Sequence, residues 1–184
     1  MQRQRVVCGI GALLCGGMVL FGCGRVDAQA RSAPPVITTT PDLVDLADLA
    51  HRGETLIQQA RAGNGSAGIT LAHFSNSYTM LTARTASGGA ELHKHWADYL
   101  IVVDGSGTEM TGGTIVNPTT NADGEVRGTT LEAPTAHRLH KGDVLHIPAG
   151  TPHQAIMGPG ETITIFVIKV AEPTTGAATA PAGR

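Results

Sequence analysis

The sequence predicts an all-β domain, an antiparallel sandwich or barrel, with one helix at its N-terminal side. Short runs rich in Val, Ile and Thr recur from Ile69 onward, separated by turn residues, and glycine supplies 24 of the 184 residues, enough for a tight turn at each junction. No long helical pattern interrupts these runs. The length has room for one domain of ordinary size.

The first thirty residues stand apart from that domain. Arg3 and Arg5 precede an apolar stretch from Val6 to about Phe21, and Ala28-Gln29-Ala30 closes it. A basic start, an apolar middle and a small-x-small end predict a secretory signal peptide cleaved after Ala30 and a periplasmic or secreted protein. The alternatives are an uncleaved anchor, since the apolar stretch approaches spanning length, and a lipoprotein: Leu20-Phe21-Gly22-Cys23 resembles a bacterial lipidation box, with Cys23 as the modified residue. All three cysteines, Cys8, Cys15 and Cys23, lie in this leader. A mature domain starting at Arg31 therefore has no disulfide and no thiolate zinc site, and any metal must be held by nitrogen and oxygen. The leader also takes three arginines and Asp27 with it, leaving 10 Lys and Arg against 14 Asp and Glu. That mildly acidic balance, without a basic run, argues against nucleic acid as a partner. Contact with a membrane is expected only through the leader or Cys23.

Residues 31–65 read as a Pro- and Thr-rich linker followed by a helix. Thr40 is placed to cap, Pro41 suits the first helical position, and Asp42 and Asp45 favour the positive end of the dipole. Leu43, Leu46 or Ala47, Ala50, Ile57 and Ala60 fall roughly on one stripe, and Gly63 ends it. Strands are expected at ITLAHF, YTMLTART, DYLIVVDG, GTEM, VLHIP, HQAIM and ETITIFVIKV, giving a barrel over residues 66–172. Asn117–Gly128 reads as a polar loop or hairpin inserted between strands. Residues 173–184 are low in complexity and are expected to be a disordered tail.

The chemistry concentrates in two places. His93 and His95 are one residue apart, a spacing that points both imidazoles to one face of a strand with Lys94 on the other. Two imidazoles alone do not complete a metal site. About fifty residues later, Gly142-Asp143 turns into a short strand, Pro148-Ala149-Gly150 turns again, and His153 opens the next strand. A histidine fixed just after a rigid turn is placed to complete a site across a barrel.

Together these segments resemble the two motifs of the cupin superfamily. In the first, Gly88 or Gly89 precedes His93-Lys94-His95, then Asp98, six residues and Gly105. In the second, Gly142, five residues, Pro148-Ala149-Gly150, two residues and His153 lead to Met157. The likeness spans roughly Ile69 to Val170. It implies a jelly-roll barrel (a double-stranded β-helix) with His93, His95, Asp98 and His153 as metal ligands, and it is compatible with a homodimer. Asp98 departs from the family's usual glutamate, and only Trp96 and Ala97 separate it from His95. Its role is therefore open between a fourth ligand and a group that orients a ligand histidine. Met157 replaces an asparagine that is not a ligand.

Nitrogen and oxygen donors suit one divalent ion, Fe, Mn, Zn, Ni or Cu, and the donor set does not choose among them. Such an ion serves as a Lewis acid on a carbonyl or enolate, or, if redox-active, in dioxygen chemistry. The expectation is an exported metalloenzyme acting on a small organic substrate, an oxygenase, isomerase or lyase. The alternative is a non-catalytic module that binds a small molecule or a metal. An acid/base group aimed at the ion separates the two, and the candidates are Glu91, Tyr99 and His146. Glu91 shares strand parity with His93. Trp96 and Tyr99 are expected at the mouth of the pocket.

Overall fold

The structure, a computed structural model, describes residues 36–172. The expected leader, cleavage after Ala30, lipidation at Cys23 and the tail from residue 173 lie outside the described residues. Among those described, no helix is long and apolar enough to cross a membrane.

Helix α1 (Leu46–Ala62) starts later than the sequence suggests. Asp45, not Thr40, is the N-cap, and its carboxylate accepts from the Ala47 N–H at 2.8 Å. A helix in a protein is held mainly by the face it buries. Leu43 is 95 % exposed, so a turn around it would bury nothing. The buried stripe is Leu49, Gly53, Leu56 and Ala60, displaced from the expected one except at Ala60. Gly53 carries no side chain because Thr164 lies against it: a Cβ there would meet Thr164 Cγ2 at 2.5 Å. At the other end the Gly63 N–H donates to the carbonyls of Gln59 and Ala60, which stops the helix where glycine predicts.

The strands follow as β1 (Ser66–His73), β2 (Ser77–Arg84), β3 (Ala90–Leu92), β4 (Trp96–Thr111), β5 (Thr114–Ile115), β6 (Thr119–Thr120), β7 (Val126–Gly128), β8 (Leu131–Glu132), β9 (Thr135–His140), β10 (Val144–Ile147), β11 (His153–Ile156) and β12 (Ile163–Ala171). Every pairing between them is antiparallel. The architecture is the expected antiparallel barrel with one helix on its outside. Strand β4 joins its two halves. Its first part pairs with β12 and β10, and its second part, from Ser106, pairs with β9 and β11.

The sequence divides this stretch into two strands, DYLIVVDG and GTEM, but the chain runs through both as one. Gly105 adopts φ +78° beside the point where the β12 register shifts between Thr164 and Ile165. A Cβ at Gly105 would meet the Thr162 carbonyl oxygen at 2.0 Å, so only glycine allows this bend without displacing the neighbouring strand.

Strand alternation divides the apolar residues into two layers. Inside the barrel Leu100, Val102, Leu139, Ile147, Ile163, Ile165 and Val167 pack together. Outside, Leu81, Ala83, Val103 and Phe166 pack against Leu49 and Leu56 of the helix. A third cluster, Ala90, Ile115 and Leu131, secures the base of the 117–128 insertion, which is a hairpin formed by β6 and β7. Strand β7 pairs in turn with β3. The buried Gln154 also ties the insertion down: its Oε1 accepts from Leu131 N and Thr130 Oγ1, while its Nε2 donates to the Gly88 carbonyl.

Candidate metal centre

The two histidine motifs meet through the backbone. The turn at Pro148-Ala149-Gly150 puts Gly150 at φ +79°, and its N–H donates to the His93 carbonyl at 2.8 Å. His153 then opens β11 directly opposite Glu91 of β3. Antiparallel partners share a face, so both side chains point inward, with Glu91 Oε1 3.5 Å from His153 Nε2. His93 follows β3 immediately, and its ring lies 5.1 Å from that of His153.

Glu91, His93 and His153 form a candidate metal-binding triad, with one donor atom from each within 4.8 Å of the others. Asp98 also faces both rings. Its Oδ2 lies 3.5 Å from His93 Nε2 and 3.7 Å from His153 Nε2. Lys169 holds the same carboxylate, with Nζ 2.6 Å from Oδ1 and 2.7 Å from Oδ2. Both partners are buried, Asp98 4 % exposed and Lys169 8 %. The register produces this pair, since Tyr78, Lys169 and Asp98 lie side by side on β2, β12 and β4.

His95 lines the same cavity but lies outside the triad. Residues 93–95 form a bend between β3 and β4, so the strand spacing rule does not apply to His93 and His95. The inward-facing i, i+2 pair is Glu91 and His93. Tyr99 and His146 face away, which corrects their expected place near the pocket. They are opposite one another on β4 and β10 and stack with centroids 4.3 Å apart, and neither lines the cavity. Tyr99 follows the inward Asp98 and therefore points out; it is 37 % exposed. Trp96 does line the cavity, edge-on to Tyr78.

Both triad imidazoles offer Nε2 to a common space because Nδ1 is engaged elsewhere. His153 Nδ1 is 3.0 Å from the Thr151 carbonyl, to which it donates. His93 Nδ1 contacts the Glu125 carboxylate from the inserted hairpin. Arg127 reaches Glu91 and Glu125, each at 3.4 Å. The 3.5 Å separations are those of neighbouring ligands about one ion with bonds of about 2.0–2.2 Å. On donor type, burial and direction the residues fit a divalent ion.

In the metal-free protein the electrostatics set the two imidazoles apart. Burial and the charge of Lys169 lower the His93 pKa against the pull of Asp98 and Glu125, favouring the neutral imidazole that binds metal. Burial works against charge on His153, but Glu91 outweighs it and raises its pKa. Burial likewise opposes ionisation of Glu91, yet its hydrogen bond to His153, helped by His93 and Arg127, brings it down to about 2.

Three further cavity residues went unnoticed in the sequence. Glu109 is 4 % exposed, and burial pushes its carboxyl up to about 7 against the opposing charges of His153 and Arg84. Tyr78 is pushed up to about 12 by burial and by Asp98 and Glu125, so it stays a hydroxyl donor at neutral pH. Lys169 is the third, and its signal was available: it continues the inward parity of Ile163, Ile165 and Val167. The cavity itself holds about 570 Å³, walled on one side by Met80, Leu100, Ile165 and Val167.

No protein-family profile matches the sequence, and no curated protein does. Solved structures do show likeness. The chain is similar to BH2720 from Bacillus halodurans, at 18 % identity and TM-score 0.48 over 79 % of this chain and 92 % of that one. It is similar to salicylate 1,2-dioxygenase from Pseudoaminobacter salicylatoxidans in complex with gentisate, at 12 % and 0.47 over 67 % and 32 %. It is also similar to the cupin domain of Cnp3 from Schizosaccharomyces pombe, at 14 % and 0.41 over 58 % and 65 %. Each is a partial overlap at low identity.

Proposed function

We propose that this chain is an exported, cupin-type metalloenzyme that binds one divalent ion through His93, His153 and Glu91 and acts on a small organic substrate. The observation that carries this reading is the clustering of Glu91, His93 and His153 at the cavity wall, with one donor atom from each within 4.8 Å of the others. Asp98 Oδ2 adjoins that cluster, and Lys169 fixes its orientation. His95, in the bend beside it, completes the polar rim.

When bound, the ion would supply Lewis acidity or redox chemistry. The remaining work falls to this chain's own groups. The apolar wall excludes water from the body of a substrate, and the volume admits a small molecule. Glu109, a buried carboxyl that lines the cavity, is placed to serve as an acid/base group. Tyr78 donates from its hydroxyl without ionising. These proton-handling groups inside the cavity favour an enzyme over a passive binding module.

Replacing His153 tests the site. His153→Ala is expected to lose most bound metal while circular dichroism and cooperative unfolding stay those of the parent. Retention of stoichiometric metal by the folded variant would overturn the assignment. Export is part of the proposal and rests on the leader's pattern. N-terminal sequencing of protein recovered outside the cytoplasm should read from Arg31; a lipid-blocked Cys23 or an intact Met1 would contradict cleavage there.

A further inference from the structure

The insertion between β5 and β8 does more than cover the barrel. Its hairpin brings Glu125 against the Nδ1 atom of His93, on the side of the ring away from Asp98. The other triad histidine takes a neutral carbonyl at the equivalent atom. The two imidazoles thus differ in what stands behind them, a carboxylate for His93 and an amide carbonyl for His153. A carboxylate behind a histidine fixes its tautomer and raises the basicity of the nitrogen that faces the metal.

The hairpin is built to hold that carboxylate in place. Asn121 Oδ1 accepts from the backbone N–H groups of Asp123, at 3.1 Å, and Glu125, at 2.9 Å, which shapes the turn. Gly124, at φ +82°, lies against the stem of Lys94, where a Cβ would meet Lys94 Cδ at 2.6 Å. Arg127 links Glu125 to Glu91, so a group behind one triad member is bridged to another member.

We propose that Glu125 is a positioning residue for the metal centre, and that ion capture and ordering of the 119–128 hairpin are coupled through its contact with His93. The inference rests on the metal-binding reading above. Coupling is reciprocal: whatever the closed hairpin adds to metal affinity, the metal returns as stability of the closed hairpin.

The test is Zn(II) affinity, by competition with a chromophoric chelator, for the parent, Glu125→Gln and Glu125→Ala. Glu125→Gln keeps an acceptor for the Nδ1 proton but loses the charge; Glu125→Ala loses both. Affinity is expected to fall in that order, with Glu125→Ala weaker by about 10–100-fold. Hydrogen exchange of the 119–128 amides should slow on Zn(II) addition in the parent and not in Glu125→Ala. Both variants keep the β7–β3 and β5–β8 pairings and the Gln154 anchor, and thermal unfolding verifies that they fold. Unchanged affinity in both variants, with hairpin exchange indifferent to Zn(II), overturns the role of Glu125 while leaving the metal centre standing. A parent that takes up no Zn(II) overturns both.

Discussion

Glu109 shows how far one buried carboxyl can shape this barrel's response to pH. Its pKa of about 7 in the fold exceeds the ordinary 4.5. The folded state therefore binds more protons than the unfolded chain between those values, and its contribution to stability is complete below about pH 4.5 and lost as pH rises to about 7. The loss is on the order of 3 kcal/mol in metal-free protein. Glu109→Gln removes it, so urea unfolding at pH 5 and pH 7.5 should show the parent falling relative to the variant. Parallel stabilities at both pH values would place the Glu109 carboxyl in a solvated environment. Glu109 was not legible, because GTEM reads only as a short strand and the pairing of β4 with β9 and β11 is what turns Glu109 inward. Glu91 was legible by parity with His93, and His153 by the turn before it. Glu125 was not, since nothing local links a polar insertion to a histidine 32 residues away.

At the scale of elements, contact geometry overrides local preference in two places. Gly53 in mid-helix looks like a defect, as alanine is favoured over glycine by about 1 kcal/mol in an exposed helix. Here Thr164 occupies the space, so Gly53→Ala is expected to destabilise by about 1–3 kcal/mol through overpacking. Combining it with Thr164→Ser, which removes the nearest atom, should restore much of the loss; chemical denaturation of the single and double variants measures this. A stabilising Gly53→Ala would mean that the helix is not seated on β12 as described. The second place is β4. Asp-Gly is a strong turn signal, yet Gly105 there absorbs a bend within one long strand. The helix end at Gly63 was legible because its cap is local. The helix start was not, because it depends on which residues find a sheet to cover.

For the whole molecule, an all-β barrel with an external helix was legible in the alternation of its strands, which sorts Ile163, Ile165 and Val167 inward and Phe166 outward. The strand order was not, because β12 returns between β2 and β4 and so joins the two ends of the domain. That return delivers Lys169 to Asp98, and the β3–β11 pairing delivers His153 to Glu91. The centre is thus a product of closure, assembled from segments more than seventy residues apart at their furthest. The measurement that bears most directly on it is the metal content of the protein purified without chelator or histidine tag, by elemental mass spectrometry, before and after reconstitution. Near-stoichiometric divalent metal is the expected result. A folded protein that holds none, even after reconstitution, would contradict the central claim.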